Sequence, residues 1–172
     1  MSADLPAAGV RIRRVDRSEW ESYREIRLRA LAHDPWAFGS TVAREREFTS
    51  EQWMERIARD PPDSSAACWA AVEPSGQFVG IVGSGRFEGA FHIFAMWVAP
   101  EWRRQRIAGL LLDAALVWVQ AAAPGNAVYL DVNRRANAAV SLYESRRFRA
   151  TGKVAPLGHI PGEQIQEMTR AG

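Results

Sequence analysis

Cysteine is almost absent from this chain of 172 residues, which contains a single one, Cys68. One cysteine cannot form an internal disulfide, and no cysteines and histidines are spaced as in a zinc site. Long apolar runs are missing too, since the first residues lack a signal-peptide core and no stretch approaches the length of a membrane span. We therefore expect a cytoplasmic protein with no bound metal and no membrane association.

An excess of one charge is missing as well. The 22 basic residues nearly balance the 20 acidic ones, which gives a net charge of +2. The chain as a whole is no polycation, and its arginine clusters lack the interleaved aromatic residues of a nucleic-acid-binding surface. A hydrophobic content of 47% excludes a disordered chain, and the length suits one domain over residues 1–172.

Apolar periodicity and turn residues predict the element order β-α-α-β-β-β-α-β-α-β-β. Three strands at 68–73, 77–87 and 91–98 form an antiparallel meander, and 127–132 is typical of a buried strand. The stretch WAFGST is interpreted as an irregular loop, and the second helix is expected to end near Arg59, before Pro61 and Pro62. This order indicates an α/β (α+β) protein whose mixed, twisted sheet of about seven strands is flanked by four helices.

Three arginines crowd into VAPEWRRQRIAGLLL, residues 98–112, just before a helix that begins near Ile107. A helix start carries unpaired N–H groups and the positive end of the helix dipole, and it therefore suits a phosphate or a diphosphate. Side chains of Arg103, Arg104 and Arg106 would add charge-assisted hydrogen bonds. On charge alone, a solvated basic loop is the better explanation, because arginine clusters are common on protein surfaces.

The flanking residues resemble the pyrophosphate-binding segment of the GNAT-type N-acetyltransferase superfamily, V-x-P-x-x-R-x-x-G-I-G/A followed by leucines. The matching positions are Val98, Pro100, Arg103, Ile107, Ala108 and Leu111. A second segment of that family, L-x-V-x-x-x-N-x-x-A-x-x-L-Y-x-x-x-G-F, is matched by Leu130, Val132, Ala139, Leu142, Tyr143 and Phe148. Both segments occur in the family's order, and the resemblance extends over the whole order of elements.

Three positions depart from these segments. Arg106 and Arg147 replace glycines, and Ala136 replaces the asparagine, with Asn133 and Asn137 nearby but out of register. Arg106 should then adopt an ordinary helical conformation or distort the loop. Arg147 stands where a helix C-cap favours glycine and should carry strain of about 1 kcal/mol. The departures bear on the affinity for the coenzyme rather than on the fold.

The resemblance implies a GNAT fold in which acetyl-CoA binds between two splayed parallel strands, 91–98 and 127–132. The pantetheine would pair with the backbone of Met96, Trp97 and Val98, and Asn133 and Asn137 would lie near the coenzyme. The diphosphate would meet the loop of Arg103, Arg104, Gln105, Arg106, Ile107 and Ala108. The implied activity is that of an acetyl-CoA-dependent N-acetyltransferase, an acyltransferase that uses direct attack by a primary amine of a small molecule or protein in a ternary complex.

Tyr143 matches the family tyrosine beside the CoA sulfur and is assigned as the general acid, with a core tyrosine as the alternative. Glu88 and His92, at the head of the central strand, are the candidate bases, although a merely packed or exposed histidine also explains His92. The acceptor walls are expected from aromatic residues, and Glu45, Glu47 and Glu51 are interpreted as a solvated helix face; the aromatic candidates are Trp36, Phe38, Trp53 and Trp97.

Two further alternatives concern the whole chain. The replaced glycines and asparagine are also compatible with a catalytically weak or inactive acyl-CoA-binding or regulatory module on the same fold. Exposed terminal strands are compatible with a homodimer.

Overall fold

A single mixed sheet organises the computed structural model of the protein, which describes residues 9–58 and 66–172. Seven strands make up the sheet in the order β1-β2-β3-β4-β5-β7-β6, and each neighbouring pair is antiparallel except β4 and β5, which run parallel. The strands are β1 (Arg11–Arg14), β2 (Ala66–Val72), β3 (Phe78–Phe87), β4 (Ala90–Val98), β5 (Val128–Asn133), β6 (Arg149–Pro156) and β7 (Gln164–Arg170). The predicted fold class, with a meander followed by a parallel pair, is confirmed.

The described residues form five α-helices rather than the predicted four. They are α1 (Trp20–His33), α2 (Val42–Arg46), α3 (Ser50–Ile57), α4 (Ile107–Ala122) and α5 (Asn137–Ser145). The additional helix α2 has only five residues and begins because the Thr41 hydroxyl caps it, accepting the Arg44 N–H at 3.2 Å. The predicted end of the second helix at Arg59, before Pro61 and Pro62, lies outside the described residues.

Helices cover both faces of the sheet. Helix α4 packs on one face, while α1 and α3 pack on the other. The buried stripe of α4 runs through Ile107, Leu111, Ala115 and Val119. Helix α4 is apolar on almost every side, so its periodicity alone could not select the buried stripe.

Strands β4 and β5 separate soon after they meet. Their parallel register contains only two residue pairs, Phe91 with Val128 and His92 with Tyr129. A bulge bends β4 just beyond this point, because Ala95 has a left-handed φ of 56° and two residues face one residue of β3. The predicted splay of the parallel pair is therefore present, and it opens the sheet towards the end of β4.

A tight turn at Arg147 ends α5. Arg147 has φ 68°, its N–H donates to the Glu144 carbonyl at 2.9 Å, and the Phe148 N–H donates to the Tyr143 carbonyl at 3.1 Å. This is a Schellman motif, in which glycine usually holds the left-handed position. Arg147 holds it here, at a backbone cost of about 1 kcal/mol, and the turn packs Phe148 against the Tyr143 ring.

Candidate active site

The loop between β4 and α4 keeps the backbone that glycine would favour. Arg104 has φ 63° and Arg106 has φ 62°, immediately before Ile107 opens α4. The expectation that Arg106 becomes ordinarily helical, or else distorts the loop, is therefore wrong. The Leu110 N–H donates to the Arg106 carbonyl at 3.2 Å. The N–H groups that come before it in the first turn of α4 have no carbonyl partner within the helix.

A groove of about 920 Å³ lies in front of this loop and is called the loop groove here. Its walls come from the end of β4, the first turn of α4 and one side of α5. Backbone donors, the positive end of the α4 dipole and arginines meet there, which makes the groove suitable for an anion. The predicted ligand-binding residues that line it are Met96, Trp97, Val98, Arg103, Arg104, Arg106, Ile107 and Ala108.

Two residues predicted to bind the diphosphate have side chains engaged by the protein. Arg103 donates from Nε to the Val98 carbonyl at 2.9 Å and from Nη2 to Asp34 Oδ2 at 2.6 Å. Gln105 donates to the Glu101 carbonyl at 3.4 Å and does not line the loop groove. The side chain of Arg103 thus braces the end of β4, and the backbone of the loop remains as its anion-binding element.

A central cavity of about 440 Å³ occupies the opening between β4 and β5. It shares Met96, Trp97, Arg103 and Tyr143 with the loop groove, so the two spaces adjoin each other. Tyr143 is 6% exposed at their junction, and burial raises the pKa of its hydroxyl. The phenol therefore keeps its proton at neutral pH, as a proton donor must.

An outer cavity of about 510 Å³ adjoins the central cavity on the face of the sheet covered by α1 and α3. It shares Phe38, Phe94 and Asp131 with the central cavity. The loop groove, the central cavity and the outer cavity, together called the passage, thus follow one another at the gap between β4 and β5, with Tyr143 shared by the first two and Asp131 by the last two.

Asp131 is a functional candidate that the sequence analysis missed. It stands on β5 directly across from Glu167 on β7. Although Asp131 is exposed, its partial removal from water and the Glu167 carboxylate raise its pKa above the usual value, while His92 and Lys153 oppose the change. A lone aspartate inside the apolar strand sequence YLDV is the signal that could have identified it.

The structure separates the two predicted bases. Glu88 forms the turn between β3 and β4 together with Gly89, is exposed with φ 47°, and lines none of the three cavities. His92 lines the outer cavity, where its ring lies 5.6 Å from the ring of Tyr129. Of the two, only His92 is brought near Asp131 and the passage.

The two asparagines also occupy different environments. Asn133 is 1% exposed, and its Nδ2 donates to the Trp36 carbonyl at 2.9 Å and to Glu163 Oε2 at 2.8 Å. Its Oδ1 accepts the Arg135 N–H at 2.8 Å, so the whole amide is used within the protein. Asn133 thus anchors the loop that follows α1, and Asn137 begins α5; both residues line the central cavity.

The acceptor side differs from expectation at two residues. Trp36 and Phe38 line the central cavity, but Trp53 is fully buried against Tyr23 and Phe48 and forms no cavity wall. Glu45 is not on a solvated face, because it is completely buried and accepts from Arg27 at 2.8 and 3.0 Å. This ion pair holds α2 against α1 at the outer cavity.

Within residues 9–58 and 66–172, no three His, Cys, Asp or Glu side chains are grouped so that they could hold a metal ion. None of the helices described there is long and apolar enough to span a membrane.

Comparison with known proteins identifies the fold. The family model described as the acetyltransferase (GNAT) family matches residues 15–148. The chain belongs to the GNAT acetyltransferase family. A search of curated protein sequences finds no match to it.

Solved GNAT structures share the fold at low sequence identity. A GNAT-family acetyltransferase from Streptococcus pneumoniae has TM-score 0.76 and 18% identity, over 95% of this chain and 99% of that one. A phosphinothricin acetyltransferase from Sinorhizobium meliloti, solved with AcCoA, has TM-score 0.75 and 14% identity, over 94% and 88%. The PaiA N-acetyltransferase from Thermoplasma acidophilum, solved with coenzyme A, has TM-score 0.69 and 16% identity, over 92% and 98%.

The buried Arg27–Glu45 pair should dominate the stability of the acceptor side. Glu45→Gln leaves the Arg27 charge buried without a counter-charge, and we expect it to cost about 3 kcal/mol of unfolding free energy at pH 7. The exposed Glu47→Gln is the matched control and should change stability by less than about 0.5 kcal/mol. Urea unfolding of both variants is the measurement, and equal stabilities would contradict this assignment.

The Arg27–Glu45 pair should also make the stability of the fold depend on pH. Burial raises the Glu45 pKa, but the hydrogen bonds and charges of Arg27 and Arg56 outweigh burial and hold it below its usual value. A lowered pKa stabilises the fold above the unfolded-state pKa, and that stabilisation is lost as the pH falls through the folded-state pKa. The stability difference between wild type and Glu45→Gln should therefore shrink in acid.

Proposed function

We propose that this GNAT protein transfers the acetyl group of acetyl-CoA to a primary amine of a small molecule or protein, by direct attack in a ternary complex. The observation that carries the proposal is the passage, in which the loop groove adjoins the central cavity and the central cavity adjoins the outer cavity. It gives the acyl donor and the acceptor separate entrances on opposite faces of the sheet, with Tyr143 and Asp131 between them.

The loop groove fits a coenzyme with a diphosphate. Left-handed Arg104 and Arg106 shape a loop that ends at the start of the sixteen-residue helix α4. That start supplies N–H donors and a favourable dipole, and Ala108 leaves room beside them. Beyond His92, the edge of β4 facing β5 is unpaired, so residues 96–98 could receive the pantetheine as an added strand. Two of the similar structures contain coenzyme A or AcCoA.

Acid–base roles follow from the positions of two side chains. As the amine nitrogen forms its bond to the acetyl carbon, Asp131 accepts the proton that the nitrogen releases. Tyr143 donates its hydroxyl proton to the sulfur as the carbon–sulfur bond breaks, and solvent restores both groups. The bulge at Ala95 leaves β4 irregular next to Met96, where a backbone N–H can stabilise the carbonyl oxygen.

The alternative is an acyl-CoA-binding module without catalytic activity. It was motivated by the arginines that replace family glycines. These arginines adopt the left-handed conformations of glycine at 106 and 147, so the loop and the helix end keep their shapes. The retained geometry, with Tyr143 at the cavity junction, supports the enzyme instead.

The direct test combines a binding and an activity measurement on the purified protein. CoA should raise the melting temperature, because a ligand that binds only the folded state stabilises it. Incubation with acetyl-CoA and a panel of primary amines should then release free thiol in an amine-dependent manner. Thermal stabilisation without thiol release for any amine would favour the binding module, and the absence of both effects would refute the proposal.

Tyr143→Phe should lower kcat about 100-fold while leaving the dissociation constant of CoA within about twofold. The substitution removes the proton for the leaving sulfur but retains the packing of the ring against Phe148. Tyr129→Phe is the matched control, because Tyr129 lies on β5 and lines none of the three cavities. Steady-state kinetics give kcat, and calorimetry gives the dissociation constant of CoA. An unchanged kcat, with chemistry shown to be rate-limiting, would exclude the acid role.

The general-base role of Asp131 predicts a shifted pH profile. We expect kcat/KM for the acceptor to rise as Asp131 loses its proton, above the usual range of an aspartate, and Asp131→Asn to lower kcat at least 100-fold and abolish this limb. Glu167→Gln removes the facing negative charge, so the limb should move to lower pH while activity is retained. A limb that stays in place in both variants would assign it to another group.

A further inference from the structure

A single buried carboxylate oxygen joins the two sides of the proposed active site. Asp34 ends α1, and its Oδ2 accepts from Trp97 Nε1 at 2.7 Å and from Arg103 Nη2 at 2.6 Å. The Nδ1 atom of His33 lies 3.1 Å from the same oxygen. Asp34 itself is buried. The proton transfers proposed above do not use this group.

Asp34 is held ionised in spite of its burial. Removal from water raises its pKa, but hydrogen bonds from Trp97, Arg103 and His33 outweigh that effect and lower it. Hydrogen bonds to an ionised acceptor are shorter and stronger than neutral ones, as both short distances here show. Loss of the negative charge would leave the Arg103 guanidinium without its counter-charge at this point.

Each donor to Asp34 belongs to a different wall of the passage. Arg103 begins the diphosphate loop and also donates to the Val98 carbonyl, so it braces the end of β4. Trp97 lies on β4 and lines both the loop groove and the central cavity. Asp34 is followed by the turn Pro35–Ala37, which carries Trp36 into the central cavity. The Asp34 carboxylate therefore holds together three parts of the proposed site: the diphosphate loop, the unpaired edge of β4 and the wall that Trp36 forms in the central cavity.

We propose that Asp34 is a positioning residue that couples acetyl-CoA binding in the loop groove to acceptor binding in the central cavity. This inference rests on the proposed function. An anion at the loop and an acceptor beside Trp36 each stabilise the arrangement in which Arg103, Trp97 and Asp34 are in contact. Binding of the first ligand therefore raises the affinity for the second, and by linkage the effect is reciprocal.

Hydrogen exchange with CoA as the only ligand tests the coupling without an acceptor. In the wild type, CoA should slow amide exchange at least about fivefold both in residues 103–110 and in residues 34–41. In Asp34→Asn, which keeps the side-chain shape, the effect at 103–110 should persist and the effect at 34–41 should disappear. Glu101→Gln is the matched control: it breaks the exposed Arg29–Glu101 pair between α1 and the same loop without touching Asp34. It should behave as wild type.

A kinetic arm separates coupling from simple loss of structure. With the best amine of the panel, saturating CoA should tighten amine binding about tenfold in the wild type and less than twofold in Asp34→Asn. The KM for the amine should rise about tenfold, with a much smaller change in kcat. Trp97→Phe, which removes one donor to Asp34 and keeps the Arg103 pair, should give an intermediate loss of coupling and serves if Asp34→Asn does not fold.

The outcomes distinguish this inference from the proposed function. Slowed exchange at 34–41 that survives in Asp34→Asn, or that is absent from a wild type protected at 103–110, would overturn the coupling and leave the acetyltransferase proposal standing. Absence of any CoA effect at 103–110 in the wild type would instead overturn the proposed coenzyme site, and the coupling with it.

Discussion

The early separation of β4 from β5 is the constraint on which the rest of the structure depends. Two parallel residue pairs hold these strands together, and the bulge at Ala95 then turns β4 away. A closed sheet would bury the edge of β4 in backbone hydrogen bonds and leave no route between its two faces. The cost of the open edge is offset elsewhere: β5 is paired along its whole length with β7, and helix α4 covers β3 and β4 with a continuous apolar face.

Three charged or polar anchors hold elements around that opening. The Arg27–Glu45 pair joins α1 to α2, Asp34 joins the end of α1 to β4, and Asn133 joins β5 to the loop after α1. All three lie at or beside the cavities rather than in the apolar core. An ionised or polar anchor fixes direction as well as distance, which an apolar contact does not. The walls are thereby fixed on both sides of the gap without filling it.

The sequence predicted the parts that depend on local patterns. Alternation and turn residues identified the meander and the buried strand, and motif spacing located the loop before α4 and Tyr143. Tertiary contacts decided the rest. Glu88 precedes a glycine at a hairpin tip, so its backbone fits a turn, while Asp131 was overlooked because a single polar residue hardly alters an apolar strand. Glu45 fits the pattern of a solvated helix face, because its partner Arg27 lies eighteen residues earlier and a local pattern does not reveal the pair.

Gly83 illustrates how a position outside the passage controls its width. A Cβ built on this residue would collide with the ring of Phe94, which borders both the central and the outer cavity. Alanine at this position would therefore force the ring of Phe94 or the neighbouring backbone to move. The shape of both cavities thus depends on the absence of a methyl group beneath an aromatic side chain, at a residue that lines neither of them.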